Sequence, residues 1–192
     1  MEETLKNSLE PGETILWTGK VEDFVTRDQT HKKAFTIKMA IAIALVAVLT
    51  VVYVAYAVSK HMSINIPILL IAYALAAIGP GNLLADGKRL QKVQYAVTDR
   101  RLLTARENVM AVRFDQIHSG AFRKDADGHV SLLLGPGGLK AKPRKWREVA
   151  LVGRDIADEG EGECLCYGFY APTDLPGLRA VLKEKLPFLQ EQ

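Results

Sequence analysis

The stretch MAIAIALVAVLTVVYVAYAV, residues 39–58, decides the architecture of this chain of 192 residues. It contains no Asp, Glu, Lys, Arg or His, and its Ala, Val, Ile and Leu residues leave no polar face. At about 1.5 Å of rise per residue, a helix of this length covers roughly the 30 Å of a bilayer's hydrocarbon core. We therefore predict a membrane-spanning helix over about residues 36–58. The alternative is a buried helix of a soluble protein, which an amphipathic period would favour.

A second apolar run follows a short polar break at Ser59, Lys60 and His61. Residues 62–85 include IPILLIAYALAAIGPGNLLA, again without a charged side chain. This run is long enough to cross a bilayer, although its Gly-Pro-Gly sequence can kink a helix. We predict a second membrane helix at about residues 64–85, and hence two transmembrane helices within residues 34–86. They divide the chain into an N-terminal segment, 1–33, and a larger domain, 87–192.

Positive charge flanks the predicted hairpin on one side of the membrane. The turn between the two runs offers Lys60, whereas the outer flanks carry Lys32, Lys33, Lys38, Lys88, Arg89 and Lys92. Positively charged flanks stay in the cytoplasm, so the N- and C-termini are both predicted to be cytoplasmic. Residues 21–38, with their basic side chains, suggest a helix on the membrane surface before the first span.

Outside the hairpin, alternating apolar and polar residues favour β-strands. Residues 9–19 contain a Pro-Gly turn followed by an alternating run, which predicts a strand that adds to a sheet built by the later domain, because a lone strand leaves its backbone unpaired. After the hairpin, strands are predicted at residues 93–97, 102–105, 109–114, 117–123, 129–134, 148–152 and 163–170. So many short strands indicate a barrel or a sandwich.

The last part of the pattern predicts a helix that closes the domain. Thr173 or Asp174 is its expected cap, Pro176 lies in the first turn, and Pro187 is the expected stop. Apolar residues at 178, 181, 182 and 186 have helical spacing, so this helix is predicted to pack one face on the sheet.

Three segments in this order resemble one family. PGETILWTG at residues 11–19, YAVTDRRLL at 95–103 and FYAPTDLPGLRAVL at 169–182 resemble the bacterial membrane proteins with a PH-like (pleckstrin homology) domain. The resemblance implies a membrane α-helical hairpin plus an α+β cytoplasmic domain, a split seven-stranded β-barrel capped by a C-terminal helix. It implies a location in the bacterial inner membrane and no catalytic activity. The chain departs from the family's spacing between residues 135 and 163.

The sharpest candidate for a contact surface is GPGGLKAKPRKWR, residues 135–147. It is rich in cations around one tryptophan, and its candidate contact residues are Lys140, Lys142, Arg144, Lys145, Trp146 and Arg147. Near a cytoplasmic leaflet each cation gains about 1 kcal/mol from anionic lipids, and a tryptophan can enter the head-group layer. The alternative is a solvated loop with Trp146 tucked into the barrel. The order of residues excludes a phosphate-binding loop of the nucleotide-hydrolysing type.

A second, weaker candidate is the turn of Asp99, Arg100 and Arg101, because two adjacent arginines can bind an anion. The competing interpretation is structural, with Asp99 capping its own turn and one arginine pairing with it. Cys164, Cys166 and the four scattered histidines lack the spacing of a metal site, so no metal and no cofactor are expected. A net charge of +3 is too small to indicate nucleic acid.

The sequence thus predicts a non-enzymatic inner-membrane protein. Its cytoplasmic PH-like domain would bind a protein partner, with membrane lipid as the other candidate ligand, and would serve in scaffolding or assembly of a membrane complex. The alternative is a small accessory subunit of a transport or energy-converting membrane complex. The sequence leaves self-association into a homo-oligomer open.

Overall fold

A computed structural model describes residues 5, 7–24, 28–67, 69–74, 87–106, 108–152, 156–157 and 163–191. The chain divides into two compact units. The helical unit is Thr26–Asp86, and the mixed unit is built from Met1–Val25 together with Gly87–Gln192.

The helical unit contains α1, Gln29–Ser59, which is long and apolar enough to cross a membrane. It begins several residues earlier than the predicted span because Asp28 caps it, accepting a hydrogen bond from the backbone N–H of His31 at 2.8 Å. Such a cap satisfies an N–H group that has no partner within the helix. At the other end the N–H of Lys60 bonds back to Tyr56.

A turn follows α1, and the chain becomes helical again at residues 66–67 and 69–74. The turn is closed by the N–H of Met62, which donates to the Ala57 carbonyl at 2.8 Å, and by the Tyr53 hydroxyl, which accepts from the N–H of Asn65 at 3.0 Å. The second predicted span therefore begins as a helix. Its residues 68 and 75–85 lie outside the described part of the chain.

In the described residues, the mixed unit contains two four-stranded sheets and one two-stranded sheet. The first has four strands in sequence order, each paired with the next. They are β1 (Ile15–Lys20), β2 (Gln94–Thr98), β3 (Arg101–Ala105) and β4 (Val109–Arg113). β1 precedes the helical unit in the chain and β2 follows it, and the register places Lys20 opposite Gln94. The segment before α1 thus shares a sheet with the part of the chain that begins at Gly87.

The second sheet has three antiparallel strands and one short parallel strand at its edge. Its antiparallel strands are β5 (Gly120–Lys124), β6 (Val130–Leu134) and β9 (Tyr167–Phe169). Two helices, α2 (Gly135–Lys140) and α3 (Trp146–Val152), and a small hairpin of β7 (Ile156–Ala157) and β8 (Glu163–Cys164) lie between β6 and β9 in the chain. Helix α4 (Leu175–Lys185) and the edge strand β10 (Gln190–Glu191) complete the unit.

Three local predictions were wrong. Residues 148–152 belong to α3 rather than to a strand, because Trp146, Val149 and Ala150 are buried together at helical spacing. The single strand predicted at 163–170 is broken into β8 and β9, where the Leu165 carbonyl accepts from the N–H of Gly137 in α2. Phe24 is not on a surface helix, since its ring meets Tyr170 edge-on at 5.5 Å in the core.

The two sheets are tied together by aromatic residues. The ring of Tyr95 on β2 stacks on Phe169 of β9 at 4.3 Å. Its buried hydroxyl accepts from the N–H of Tyr170 at 3.0 Å and donates to the same residue's carbonyl at 3.3 Å. Burial raises the pKa of the Tyr95 hydroxyl far above its ordinary value, so this group stays a neutral donor.

Backbone hydrogen bonds close one corner between the sheets. The N–H of Glu22 donates to Ala171, and the N–H of Thr173 donates to Lys20, both at 2.7 Å. Helix α4 begins directly afterwards. Its cap, Asp174, also accepts from the indole N–H of Trp17 at 3.1 Å, which fixes the helix to β1. The predicted C-terminal helix is confirmed, with Leu178 and Leu182 fully buried.

We expect Tyr95→Phe to lower the free energy of unfolding of the mixed unit by about 1–3 kcal/mol, because the N–H of Tyr170 would be left buried without its acceptor. Both of the chain's two tryptophans, Trp17 and Trp146, are buried in this unit, so intrinsic fluorescence during denaturant titration in detergent reports its unfolding. Tyr73→Phe on the helical unit is the matched control. Equal stability of Tyr95→Phe and wild type would contradict the assigned role.

Candidate functional site

The turn between β2 and β3 is held by the N-terminal segment. Arg101 forms a bidentate ion pair with Glu13, its Nε donating to Oε1 at 2.9 Å and its Nη2 to Oε2 at 2.8 Å. The same Nη2 donates to the Ser8 carbonyl at 2.9 Å, and Nη1 lies 3.2 Å from Glu10. Paired parallel bonds of this kind are the strongest that an arginine makes with a carboxylate. The guanidinium of Arg101 is thereby fully engaged within the protein.

Glu13, the ion-pair partner of Arg101, was missed in the sequence analysis. Its side chain is buried, and Thr98 donates a further hydrogen bond to it at 2.7 Å. The Arg101 guanidinium, together with the hydrogen bonds from the Glu10 N–H and Thr98, lowers the pKa of Glu13 from its ordinary 4.5 to about 2. The available signal was a carboxylate placed directly after the Pro11-Gly12 turn.

The other two residues of the turn are also used structurally. Asp99 accepts from the N–H of Thr14 at 2.9 Å, and the N–H of Asp99 donates back to the Thr14 carbonyl at 3.0 Å. The turn itself is capped by the hydroxyl of Thr98, which accepts from the N–H groups of Arg100 and Arg101, and not by Asp99. Arg100 is half exposed and lies 3.6 Å from Glu10. These contacts support the structural interpretation of the turn over an anion site.

The contacts of Arg101 with Glu13 and Ser8 hold the N-terminal segment over the outer face of the first sheet. Leu5 is buried there against Ala96, Leu103 and Ala105, with Leu9 packed at the margin. Beside it lies a half-open cavity of about 230 Å³ whose walls include Leu5, Lys20, Gln94 and Thr173. The cavity is the gap next to the covering segment, and no pattern of residues indicated it.

The backbone of the cation-rich stretch is fixed by packing against the rest of the mixed unit. We use the name basic segment for residues 140–145. Before it, α2 packs closely on the chain leading into β9: a Cβ on Gly137 would lie 2.8 Å from the Cβ of Cys166. Gly135 has φ of +76° and would meet the Leu165 carbonyl, so only glycine fits there. The basic segment is thus mounted on the second sheet and does not form a free loop.

Two of the predicted contact residues point inward. Trp146 is 3% exposed, and its indole N–H donates to the Ala141 carbonyl at 3.0 Å. Arg147 is 6% exposed, with its guanidinium 4.2 Å from the centre of the Phe24 ring and Nη2 donating to the Tyr170 hydroxyl at 3.3 Å. Neither side chain can reach a lipid or a partner from this position. The prediction is corrected for both: they anchor the basic segment through packing and cation–π contact.

The remaining four cations point outward. Lys145 forms an ion pair with Glu148 of α3. All of the following are exposed: Lys140, Lys142, Arg144 and Lys145. Their backbone is fixed by a 3₁₀ turn at Pro143–Lys145, in which the N–H of Lys145 donates to Lys142 at 2.7 Å. This arrangement presents positive charge on a rigid base, and it can attract an anionic surface or an acidic partner.

The buried polar groups near this segment are joined in a structural network. Asp125 accepts from the N–H groups of Asp127 and His129, both at 2.9 Å, and from the Tyr170 hydroxyl at 3.3 Å. Elsewhere in the core the hydroxyl of Tyr167 lies 2.6 Å from that of Thr104, and burial raises the Tyr167 pKa well above its ordinary value. Hydrogen-bonded networks of this kind favour a single arrangement of a core.

Comparisons with family models, with curated proteins and with solved structures each found no match for this chain.

We expect Glu13→Gln to lower the free energy of unfolding at pH 7 by about 2–3 kcal/mol, because one charged partner of a buried ion pair is lost. Glu22→Gln, at an exposed position, is the control. The pH profile tests the same pair. Since the folded-state pKa lies below the ordinary 4.5, this stabilisation is present above pH 4.5 and is lost as the pH falls towards 2. The variant should therefore show a flatter loss of stability in that window; parallel profiles would contradict the pairing.

Proposed function

We propose that the chain is a non-enzymatic bacterial inner-membrane protein whose two membrane helices carry a cytoplasmic PH-like domain, and that this domain binds a protein partner in scaffolding or assembly of a membrane complex. The observation that carries the proposal is the pairing of β1 with β2. These strands lie on either side of the apolar helices in the chain, yet they share one sheet.

That pairing constrains the membrane topology. A sheet lies on one side of a bilayer, so a chain that leaves β1 and crosses through α1 must cross back before it reaches β2. The second apolar run, residues 62–85, is the stretch available for the return. Lysines and arginines on the outer flanks support a cytoplasmic position for the mixed unit.

The exposure of α1 supports a lipid environment over a buried helix. In its most apolar 18-residue window, 11% of the residues are buried. Large apolar side chains are exposed along it, such as Val51 at 69% and Leu49 at 54%. An exposed apolar surface of this extent is unfavourable in water, whereas lipid tails solvate it.

The strand order supports the PH-like assignment. A four-stranded meander is followed by three antiparallel strands, β5, β6 and β9, and by α4. The corner closed by Glu22 and Thr173 joins the two sheets, as a split barrel requires. The added strand β10 and the inserted helices α2 and α3 are departures from the simple pattern implied by the resemblance.

A binding role is supported by what the charged groups do. Arg101, Glu13, Asp125 and Arg147 are committed to internal contacts that hold the fold. The cations of the basic segment are exposed on a rigid mount, with Lys145 also paired to Glu148, and a tether through the hairpin would keep the domain close to the leaflet. We therefore propose anionic lipid head groups as an additional contact of this segment.

The topology predicts a labelling pattern. With a membrane-impermeant maleimide on intact cells, Lys60→Cys in the hairpin turn should react, and Lys92→Cys should react only after lysis. The chain should also stay in the membrane pellet after alkaline extraction. Reaction of Lys92→Cys in intact cells, or release of the chain into the aqueous fraction, would contradict the proposal.

The lipid contact predicts a dependence on anionic head groups. For the full chain in nanodiscs, amide exchange over residues 140–145 should be slower with phosphatidylglycerol than with phosphatidylcholine alone. Reversing the charge of Lys142, Arg144 and Lys145 should abolish that difference, since the attraction is electrostatic. Reversal of Lys183 and Lys185 on α4 is the matched control. Equal exchange of the wild type in both lipids would exclude the contact.

Purification of the chain from native membranes distinguishes the scaffold hypothesis from the accessory-subunit hypothesis. Weak, substoichiometric partners fit the scaffold, whereas a fixed-stoichiometry large complex would replace it with the alternative, an accessory subunit of a transport or energy-converting complex.

A further inference from the structure

The segment after α4 lies along the open edge of the second sheet. The chain leaves α4 at Lys185, and a turn brings the N–H of Leu189 to the Leu186 carbonyl at 3.1 Å. Strand β10 then runs parallel to β5, with Gln190 opposite Ala121 and Glu191 opposite Phe122. We call residues 187–191 the tail segment. It occupies a sheet edge, and such edges accept extended chains through backbone hydrogen bonds.

One side chain anchors the tail segment. Leu189 packs against the core beside Gly120, the first residue of β5. A Cβ on Gly120 would lie 2.7 Å from the Cδ2 of Leu189 and 2.7 Å from the Cδ2 of Leu134. The absence of a side chain at Gly120 therefore leaves a notch that admits a methyl group of Leu189.

The strand pairing of the described tail residues is short. The ladder with β5 consists of two residue pairs. Pro187, Phe188 and Gln190 are exposed, with Phe188 at 39%. Release of the tail segment would uncover the notch and two strand residues while the tie between Tyr95 and Tyr170 stays intact. Local openings of this kind occur at far lower free energy than global unfolding.

The surroundings of the edge indicate the partner's chemistry. The guanidinium of Arg179 on α4 lies over the Phe122 ring at 5.2 Å, and β5 ends in Arg123 and Lys124. A matching strand needs a leucine-sized residue for the notch, backbone N–H groups beyond it and hence no proline there, and polar or acidic residues near the cations. The tail segment itself has this order, with Leu189 followed by Gln190 and Glu191.

We propose that the β5 edge is a docking site for an extended strand of a partner protein, which inserts a leucine-like side chain at Gly120, and that the tail segment occupies this site until the partner displaces it. The inference rests on the proposed protein-binding function and gives it a specific location. The tail segment is a strand that already binds this edge, so its peptide is the probe for the test.

The test compares the full chain with a chain ending at Pro187, both solubilised in detergent. A fluorescently labelled peptide, PFLQEQ (residues 187–192), should bind the shortened chain about tenfold or more tightly than the full chain, because the edge is then vacant. The peptide carrying Leu189→Ala should lose about tenfold in affinity. In the shortened chain, Gly120→Ala should cause a similar loss by filling the notch.

A second variant keeps the proposal testable if the shortened chain does not fold. Leu189→Ala in the full chain should speed amide exchange in β5 while exchange in β2 stays as in wild type, and this variant should bind the wild-type peptide. A folded shortened chain without peptide binding, or equal binding of both peptides, would overturn the docking site. Exchange of tail segments between two copies, seen as a dimer of the full chain, would overturn the assignment to a different protein.

These outcomes are independent of the membrane topology. Failure of peptide binding with the labelling pattern intact would remove the docking edge alone, whereas maleimide labelling of Lys92→Cys in intact cells would remove the proposed function itself.

Discussion

The pairing of β1 with β2 is the constraint on which the rest of the molecule depends. It closes a loop of chain that contains the whole helical unit, and it brings Lys20 and Gln94 together in one register. The N-terminal segment is part of the mixed unit, because Trp17 and Glu13 supply contacts to the cap of α4 and to the β2–β3 turn. The folding of the mixed unit and the return of the chain from the helical unit are therefore coupled.

Hydrophobic patterns predicted the elements with the clearest apolar signal. α1 follows from composition, and α4 follows from its cap and the spacing of Leu178 and Leu182. The pattern failed in WREVALV, where Val149 and Leu151 alternate as in a strand although Trp146, Val149 and Ala150 form a helical face. Period-2 and period-3.6 patterns overlap in so short a run, and contact with β9 decides between them.

The sequence predicted which residues make up the candidate site, but not which of their side chains face the core and which face solvent. A sequence specifies that Lys142, Arg144, Trp146 and Arg147 are neighbours, yet it does not say which of them face the core. Arg147 turns inward because Phe24, from the other end of the chain, offers an aromatic face at 4.2 Å. The partner of Arg101 was likewise missed because Glu13 lies far from it in sequence. The carboxylate after the Pro11-Gly12 turn is visible in the sequence, but nothing local links it to Arg101.

The same argument explains why the surfaces left for recognition are few. Burying an arginine or a carboxylate is tolerable only when its charge is compensated, so each internal pair in this domain removes a charge from the set that could meet a ligand. Glu13 compensates Arg101, and aromatic rings with the Tyr170 hydroxyl surround Arg147. Charge compensation does not satisfy a sheet edge, where unpaired backbone N–H and C=O groups need a neighbouring strand. The tail segment meets that need at β5 with two residue pairs and one leucine, which makes the edge both protected and exchangeable.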